Sequence, residues 1–403
     1  MSEKHIIVYA FQSLEDPLIK GLMLEYLKWI QVTEKQFIFH LITHEHNEYQ
    51  LGANKTALRK EELRKLNIHW YPVKYRSGSF ILLKKAFNFL QTFFIALKIK
   101  LKFKAEVIIG FLSIPGSFSY IISKILRMKL VIYCFEPHSE YMADFGIWKK
   151  NSLKYILLRF FEKRQLIGAD YIVVPNNHTE KLIKRYTKDN VLVTPICIDV
   201  EQIHFDGEAR EQIRNDLKIH NRTVVIYTGK FGGIYYSAEQ VISFFKKLHV
   251  HNENLFFYII TPDTDEVKKS VNRSGLSPSS VYVSPVVSYT SLHRYISAAD
   301  IGFVALPPLP SQKFRTPVKT AIYLSCGIPY LVNRGIAEDD VIAEKEKVGV
   351  VIKDLEDAPE IISEKIRQLL ADEKLHKRCR QIAEETRSIK VAREALKKVL
   401  SSI

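Results

Sequence analysis

A lysine late in the chain stands where a bound anion would stabilise it. The segment 316–329, TPVKTAIYLSCGIP, predicts a loop, a helix that begins near Pro317, a stop at Gly327 and a strand from Pro329. Lys319 falls in the first turn of that helix, where a cation opposes the helix dipole. An anion docked there would remove the conflict, because backbone N–H groups and the ammonium would converge on it. The alternative interpretation is a solvated lysine with no ligand.

A histidine between two carboxylates is the second candidate. The segment 134–141, CFEPHSEY, directly follows a predicted strand, which Pro137 ends because it lacks an N–H donor. His138 stands two residues from both Glu136 and Glu140, which suits acid–base chemistry or the binding of ligand hydroxyls. A structural or solvated histidine is the alternative. No metal is expected, because this grouping of one histidine and two carboxylates does not recur in the chain.

A glycine-containing turn follows another predicted strand. The sequence VVIYTGKFGG, residues 224–233, places Gly229 and Lys230 after the strand and Gly232 and Gly233 just beyond. Glycines let backbone amides approach a phosphate, although a plain tight turn explains them equally well.

These residues depend on strands that position them. Short apolar, β-branched runs alternate with segments of helical length, which predicts parallel sheets with helices on both faces. The predicted strands are 6–10, 37–43, 68–73, 107–111, 130–135, 171–175, 191–194, 223–228, 255–261, 281–283, 301–304, 329–333 and 349–352.

The strand–helix pattern runs twice, so the expected fold class is α/β with two Rossmann-like, doubly wound parallel-sheet domains facing a cleft. We predict domains at 1–200 and 201–385, joined near the polar stretch 195–221. The last segment, 386–403, has one apolar helical face and could pack on either domain. Periplasmic binding proteins and many dehydrogenases share such an architecture, so it does not decide function.

Charge is distributed unevenly along the chain. The net charge is +15, and residues 1–200 hold 30 Lys/Arg against 18 Asp/Glu, whereas residues 201–403 hold 29 against 26. A basic half beside a nearly neutral half indicates a polyanionic partner: nucleic acid, a phosphorylated substrate or anionic lipid.

The segment Phe80–Lys104 contains six lysines and no acidic residue. Its central stretch 86–97 is uncharged and carries four phenylalanines, but twelve helical residues span only about 18 Å, too short for a bilayer. We predict an amphipathic helix at an anionic membrane surface, with lysines reaching the headgroups. A buried crossover helix followed by a basic strand or loop is the alternative. Nucleic acid is not an expected partner, because no binding motif is present.

Cysteine usage and the first residues indicate the compartment. The four cysteines, Cys134, Cys197, Cys326 and Cys379, are far apart and show no CxxC spacing, which predicts buried free thiols. The apolar run 6–11 is too short for a signal peptide. The protein is expected to be cytoplasmic and peripheral on the inner face of the cell membrane.

The segment TPVKTAIYLSCGIPYL resembles the Pro-x-Lys-x-x-Glu-Tyr-Leu-x-x-Gly-x-Pro-Val segment of retaining glycosyltransferase family 4. The resemblance implies the GT-B fold and assigns Lys319, with Thr320 beside it, to the phosphates of a nucleotide-sugar donor. VVIYTGKFGG is similar to the turn that opens that family's donor domain, which implies that Gly229 and Lys230 meet the diphosphate.

Further segments resemble the same family in the same order. The segment 279–308 is similar to the family's base-binding region, which implies that the nucleotide base rests on backbone groups near Val286. NRGIAEDDVIAE, residues 333–344, resembles the loop that contacts the transferred sugar through the amides of Gly335, Ile336 and Ala337 and through Glu338, although an acidic helix cap explains Glu338 as well. His138 matches the histidine at the family's reacting centre, with Glu136 beside it.

Three features depart from the family pattern. The ribose-binding glutamate is replaced by Ile322, and its partner eight residues earlier by Phe314. Ile234-Tyr235-Tyr236 stands where a second basic residue is expected, and Arg315 is the candidate for the missing charge. The turn 12–17 lacks the usual glycine pair.

The resemblance implies a metal-independent, retaining, hexosyltransferase-type enzyme without a cofactor. It would transfer a sugar from a nucleotide diphosphate sugar to a lipid-linked or glycan acceptor in bacterial surface polysaccharide or glycoconjugate synthesis. A non-catalytic GT-B-like binding module and a nucleotide-sugar epimerase are the alternatives.

Overall fold

All thirteen predicted strands are present, with ends that shift by at most two residues. The computed structural model describes residues 3–76, 81–133, 135–187 and 190–402, so Phe80 and Cys134 lie outside the described residues. The strands are β1 (Lys4–Tyr9), β2 (Phe37–Glu45), β3 (Ile68–Lys74), β4 (Val107–Phe111), β5 (Lys129–Tyr133), β6 (Tyr171–Val174), β7 (Val191–Val193), β8 (Thr223–Thr228), β9 (Leu255–Ile260), β10 (Val281–Ser284), β11 (Ile301–Val304), β12 (Tyr330–Asn333) and β13 (Gly349–Ile352).

Helices fill the segments between the strands. In chain order they are α1 (Leu24–Thr33), α2 (Ala53–Arg64), α3 (Ile81–Phe103), α4 (Ser113–Leu126), α5 (His138–Asp144), α6 (Leu153–Gly168), α7 (Asn177–Ile183), α8 (Gly207–Leu217), α9 (Ala238–His251), α10 (Thr264–Ser274), α11 (Leu292–Ser297), α12 (Val318–Ser325), α13 (Asp339–Lys345), α14 (Pro359–Leu370), α15 (Leu375–Thr386) and α16 (Ile389–Ser401). A π-helical turn, Ile19–Met23, precedes α1, and a 3₁₀ turn, Pro310–Phe314, precedes α12.

The strands form two parallel sheets, which confirms the doubly wound prediction. The first has the order β3-β2-β1-β4-β5-β6-β7 and the second the order β10-β9-β8-β11-β12-β13. The order reverses between β1 and β4 in one sheet and between β8 and β11 in the other. These reversals are the points at which doubly wound sheets hold ligands, at the carboxyl ends of the strands.

The chain divides into two compact units, Met1–Pro195 with Lys390–Ile403, and Ile196–Ile389. The first boundary thus falls at Pro195 rather than after residue 200, and the return to the first unit occurs at Lys390 rather than 386. Within the first unit, α16 packs on α1: Lys397 Nζ lies 2.7 Å from Glu34 Oε1, and the Arg393 guanidinium stacks over Trp29.

Interior strands are buried on both faces because helices cover both sides of each sheet. All nine residues of β2 are buried, including His44. His44 Nε2 lies 3.2 Å from Tyr9 Oη and 3.1 Å from Thr92 Oγ1 of α3, and burial lowers the pKa of His44 to about 3. The imidazole is therefore neutral at physiological pH and ties α3 to the carboxyl ends of β1 and β2.

Helix α3 has features of both structures considered for the lysine-rich segment, a buried crossover helix and an amphipathic helix with an exposed apolar face. Its inner face buries Ala96 and Ile99, as expected of a crossover helix. Its outer face exposes large apolar side chains, among them Phe94 at 62% and Leu101 at 73%. The basic end of the segment is helical through Phe103, rather than a strand or loop.

Within the described ranges, no helix combines the length and apolar character needed to cross a membrane.

Candidate functional site

The glycine turn and the lysine helix meet at the carboxyl edge of the second sheet. β8 ends at Thr228, and Gly229 follows with a φ of +139°, a backbone angle that other residues rarely adopt. A Cβ atom on Gly229 would lie 2.9 Å from Lys319 Nζ, so a side chain at this position would displace the ammonium. Lys319 lies in the first turn of α12. Gly229 therefore allows the ammonium to pack directly against the backbone.

The Lys319 ammonium is buried among aromatic rings. The residue as a whole is half-buried, but Nζ itself is buried and has no hydrogen-bond partner among the described residues. It lies 4.2 Å from the ring centroid of Tyr227 and 5.5 Å from that of Tyr235. Burial, assisted by the charge of Arg315, lowers the pKa of Lys319 to about 7. An ammonium held by rings alone is suited to binding an anion.

Arg315 joins this group through a tyrosine. Its Nη2 donates to Tyr235 Oη at 3.2 Å, and its Cζ lies 5.3 Å from the Tyr235 ring centroid. Tyr235 belongs to the segment that replaces the second basic residue of the resembled family. Two cations and two tyrosines therefore gather at one sheet edge, and we call Tyr227, Tyr235, Arg315 and Lys319 the basic cluster.

Two other predicted donor-binding residues are placed less directly. Lys230 has an exposed side chain, and its carbonyl accepts a hydrogen bond from Tyr227 Oη at 2.5 Å. Thr320 is fully buried, and its Oγ1 donates to Asp339 Oδ2 at 2.6 Å. The Thr320 hydroxyl thus fastens α12 to α13, so only its backbone amide remains as a donor for a ligand at the helix start.

The loop before α13 corrects a prediction about backbone donors. The amide of Gly335 donates to Asp340 Oδ2 at 2.9 Å, and that of Ala337 donates to the Gln312 carbonyl at 3.2 Å. These two amides are already engaged within the protein and are not the sugar-binding donors that the sequence suggested. Glu338 is half-buried at the N-cap position of α13, without a side-chain capping bond.

Val286 lies outside the basic cluster, and Gln312 is a buried polar residue that the sequence analysis does not identify. Val286 is 59% exposed after β10, and β9 separates β10 from β8, so it is not part of the basic cluster. Gln312 is fully buried in the 3₁₀ turn, and neither its Nε2 nor its Oε1 has a partner in the described part of the chain. Nothing in the sequence pattern singled out Gln312.

Glu136 and His138 share a pocket in the first unit. The pocket lies at the carboxyl ends of β1, β4 and β5 and is lined by Phe11, Gln12, Leu112, Ser113, Ile114, Pro115, Glu136 and His138. His138 is the first residue of α5, and its ring meets that of Trp148 edge-on with centroids 5.7 Å apart. Glu140 is not in this pocket, because it accepts from Tyr155 Oη at 2.9 Å and pairs with Arg159 at 3.3 Å.

A buried carboxylate that the sequence did not reveal holds the pocket walls together. Glu162 of α6 accepts from Ser113 Oγ at 2.7 Å, from the Ser139 amide at 3.0 Å and from Ser139 Oγ. Burial raises the pKa of Glu162, while these hydrogen bonds oppose the shift. Leu112, which precedes Ser113, has a φ of +71°. This strained backbone lines the pocket, and Glu162 fixes the residue after it.

No group of three or more His, Cys, Asp or Glu side chains in the described ranges is arranged to hold a metal ion. The expectation of a metal-independent site stays a prediction.

Comparison with known proteins identifies the fold. Residues 310–399 match the sequence model of the family described as Glucosyltransferase 3-like, C-terminal domain. No curated protein matches the sequence.

Several solved structures resemble the whole chain. HepE of Anabaena, in complex with UDP and glucose, has a TM-score of 0.70 at 14% identity, with 100% of both chains covered. Sucrose-phosphate synthase from Thermosynechococcus elongatus has a TM-score of 0.73 at 12% identity, with 99% of both chains covered. WaaG, a glycosyltransferase involved in lipopolysaccharide biosynthesis, has a TM-score of 0.68 at 12% identity, over 97% of this chain and 98% of its own. The chain therefore has the GT-B fold.

Replacing Lys319 with methionine is expected to stabilise the protein at neutral pH. The variant keeps an unbranched apolar stem of similar length but removes a buried ammonium whose pKa falls to about 7 on folding. The unfolded chain keeps this proton up to about pH 10, so the penalty is fully present below pH 7 and declines as the pH rises towards 10. We expect K319M to raise the free energy of unfolding by about 2–4 kcal/mol at pH 7 and by less at about pH 9.

Urea unfolding at the two pH values measures this gain. Lys313→Met, at an exposed position of the 3₁₀ turn, is the matched control. If K319M is no more stable than this control at pH 7, the buried ammonium does not destabilise the folded protein.

Glu162→Gln is expected to loosen the pocket of the first unit. Glutamine offers one acceptor oxygen where the carboxylate offers two, so at least one buried donor of Ser113 or Ser139 loses its partner. We expect the free energy of unfolding to fall by about 1–3 kcal/mol and amide exchange in α5 to accelerate. Glu61→Gln on the exposed face of α2 serves as the control, and equal behaviour of the two variants contradicts the assignment.

Proposed function

We propose that this GT-B chain is a glycosyltransferase that uses a nucleotide diphosphate sugar as donor. The single observation that supports this most strongly is the buried ammonium of Lys319, unpartnered among the described residues, at the start of α12 and at the carboxyl edge of the second sheet. Free N–H groups at a helix start and an adjacent cation are the arrangement that binds phosphate. HepE, a structural neighbour, is in complex with UDP and glucose, which makes UDP-glucose the first donor to test.

The basic cluster would act on the leaving group. As the bond between the sugar and the diphosphate breaks, negative charge develops on the departing phosphate oxygen. Lys319, Arg315 and Lys230, with the first amides of α12, would stabilise that charge in place of a metal. A bound diphosphate would also raise the pKa of Lys319 from about 7, so the ammonium would be fully charged when the donor is bound.

The acceptor would supply the nucleophile. Its hydroxyl would form the new bond to the sugar and pass its proton to the departing phosphate on the same face, which retains the configuration and requires no nucleophilic carboxylate. This route tolerates the loss of the glutamate pair at Phe314 and Ile322. Ile322 is buried in α12 and contributes to the core instead.

The pocket with His138 and Glu136 is the proposed contact for the reacting hydroxyls. Both groups line the same space, at the carboxyl edge of the first sheet. An imidazole and a carboxylate within one pocket can orient a hydroxyl and accept its proton transiently. Gln312, with its buried amide, is a further candidate for a sugar hydroxyl.

The proposed acceptor is lipid-linked, as in bacterial surface polysaccharide or glycoconjugate synthesis, and the proposed location is the inner face of the cell membrane. Helix α3 supports this part of the proposal because it exposes Leu83, Phe87, Leu90, Phe94 and Leu101 on its outer side, with Lys98 and Lys102 exposed beside them. Exposed apolar side chains flanked by lysines favour an anionic bilayer surface.

Removing Lys319 or Lys230 should weaken nucleotide binding. We expect Lys319→Ala and Lys230→Ala each to reduce the affinity for UDP by about 1.5–3 kcal/mol, the range for hydrogen bonds to charged groups. Isothermal titration measures the change, and Lys313→Ala, at an exposed position two residues before Arg315, is the control. Unchanged UDP affinity in both variants would refute the proposed donor site.

Removing His138 should affect turnover rather than donor binding. We expect His138→Ala to lower the rate of sugar transfer, or of donor hydrolysis, by roughly two orders of magnitude while UDP affinity stays nearly constant. The control is His178→Ala on α7. If turnover survives, the histidine is structural; if the wild-type protein releases no UDP from any nucleotide sugar, the non-catalytic alternative is correct.

A further inference from the structure

Helix α6 exposes an apolar stripe that the core does not use. Leu153, Ile156, Leu157 and Phe160 recur at helical spacing and are 60%, 52%, 42% and 48% exposed. The inner face of the same helix buries Glu162, Gln165 and Leu166. Large apolar side chains grouped on one exposed face of a protein mark an interaction surface.

Cations surround this stripe. Residues 145–164 contain six lysines and arginines, and their one acidic residue, Glu162, is buried. Glu140, just before this segment, pairs with Arg159 at 3.3 Å and lies 3.9 Å from Lys150, which leaves the charge of the segment positive. Lys154 Nζ lies 5.1 Å from the ring centroid of Trp148 in the preceding loop, and Ile147 of that loop is 47% exposed. The combination of apolar, aromatic and cationic side chains is typical of segments that lie in a membrane interface.

The exposed parts of α3 and α6 project past the same edge of the first sheet. Thr92 of α3 bonds to His44 at the carboxyl end of β2, and Glu162 of α6 bonds to Ser113 and Ser139, just beyond β4 and β5. The helical residues that precede Thr92 and Glu162 therefore extend beyond that edge. Leu83, Phe87 and Leu90 lie in this part of α3, and the four apolar residues lie in this part of α6.

A lysine on each helix interacts electrostatically with the other. Lys154 of α6 lies close enough to Lys85 of α3 that its charge adds to burial in lowering the pKa of Lys85. Neither lysine has a carboxylate partner among the described residues. Two like charges that repel each other would be stabilised by an anionic surface near both.

We infer that α6 and the loop before it form, together with α3, a two-helix face that docks on an anionic lipid bilayer beside the His138 pocket. The inference rests on the proposed function in that it gives the pocket a lipid-borne acceptor. Trp148 links the two features, because its ring contacts His138 and its loop carries exposed Ile147, Lys149 and Lys150. A bilayer fits better than nucleic acid, because the cations border apolar side chains rather than a groove.

Co-sedimentation with phosphatidylglycerol–phosphatidylcholine vesicles tests the face. The triple variant L153S/L157S/F160S and the charge variant K85Q/K154Q are each expected to lower the fraction bound by at least about tenfold. The matched controls are V250S/V341S/I361S, which are exposed apolar residues of the second unit, and K268Q/K269Q on α10. Both controls are expected to bind like the wild type, and pure phosphatidylcholine vesicles are expected to bind little of any variant.

UDP affinity, thermal unfolding and oligomeric state are measured on the same samples. Loss of vesicle binding with normal unfolding and UDP affinity supports the inference. Vesicle binding equal to wild type in both L153S/L157S/F160S and K85Q/K154Q overturns it. A wild type that ignores vesicles but dimerises, and becomes monomeric in L153S/L157S/F160S, also overturns it in favour of a protein partner. A wild type that binds vesicles through this face but binds no UDP refutes the proposed function and leaves the docking face standing.

Discussion

The Lys319 ammonium, buried against two tyrosine rings without a hydrogen-bond partner among the described residues, is the constraint around which the second unit is arranged. A side chain at Gly229 would displace the ammonium from this place, and the positive φ of that glycine turns the chain away from β8. Thr320 fixes the start of α12 by donating to Asp339, and Arg387 completes this support by pairing with Asp339 at 2.7 Å. Burying this ammonium without a partner lowers the free energy of unfolding, and such a cost is typical of a site that binds an anion.

In the first unit, the buried interactions position a loop of the pocket rather than a charged group. The strained backbone at Leu112 and the first residues of α5 both need an external support, and Glu162 provides it from α6. The same helix turns its opposite side outward with apolar and cationic residues. One helix thus supports the pocket through its inner face and carries the proposed docking surface on its outer face, so the inferred membrane contact and the pocket geometry would depend on a shared helix.

Strand positions could be predicted from sequence because β-branched apolar runs between turn residues determine them locally. The thirteen strands, and the start of α12 just before Lys319, follow from such patterns. The environment of the charged residues could not be predicted in this way. Glu162 stands among lysines and arginines and has the sequence context of a surface residue, yet tertiary packing buries it. In the sequence, Tyr235 only stands where a second basic residue is expected. The structure shows that its ring and hydroxyl contact Arg315. Amides of Gly335 and Ala337 were expected to be available, but contacts with Asp340 and Gln312 use them.

The central claim is that Lys319 binds an anion and that its pKa in the free protein lies near 7. Direct titration of its ammonium tests this claim best. NMR of the protein with isotope-labelled lysine side chains, assigned by comparison with K319M, follows this group from about pH 5 to pH 11. The account predicts a pKa of about 7 in the free protein and a clear rise when UDP is added. A pKa near the ordinary lysine value of about 10.4, unchanged by UDP, would contradict it.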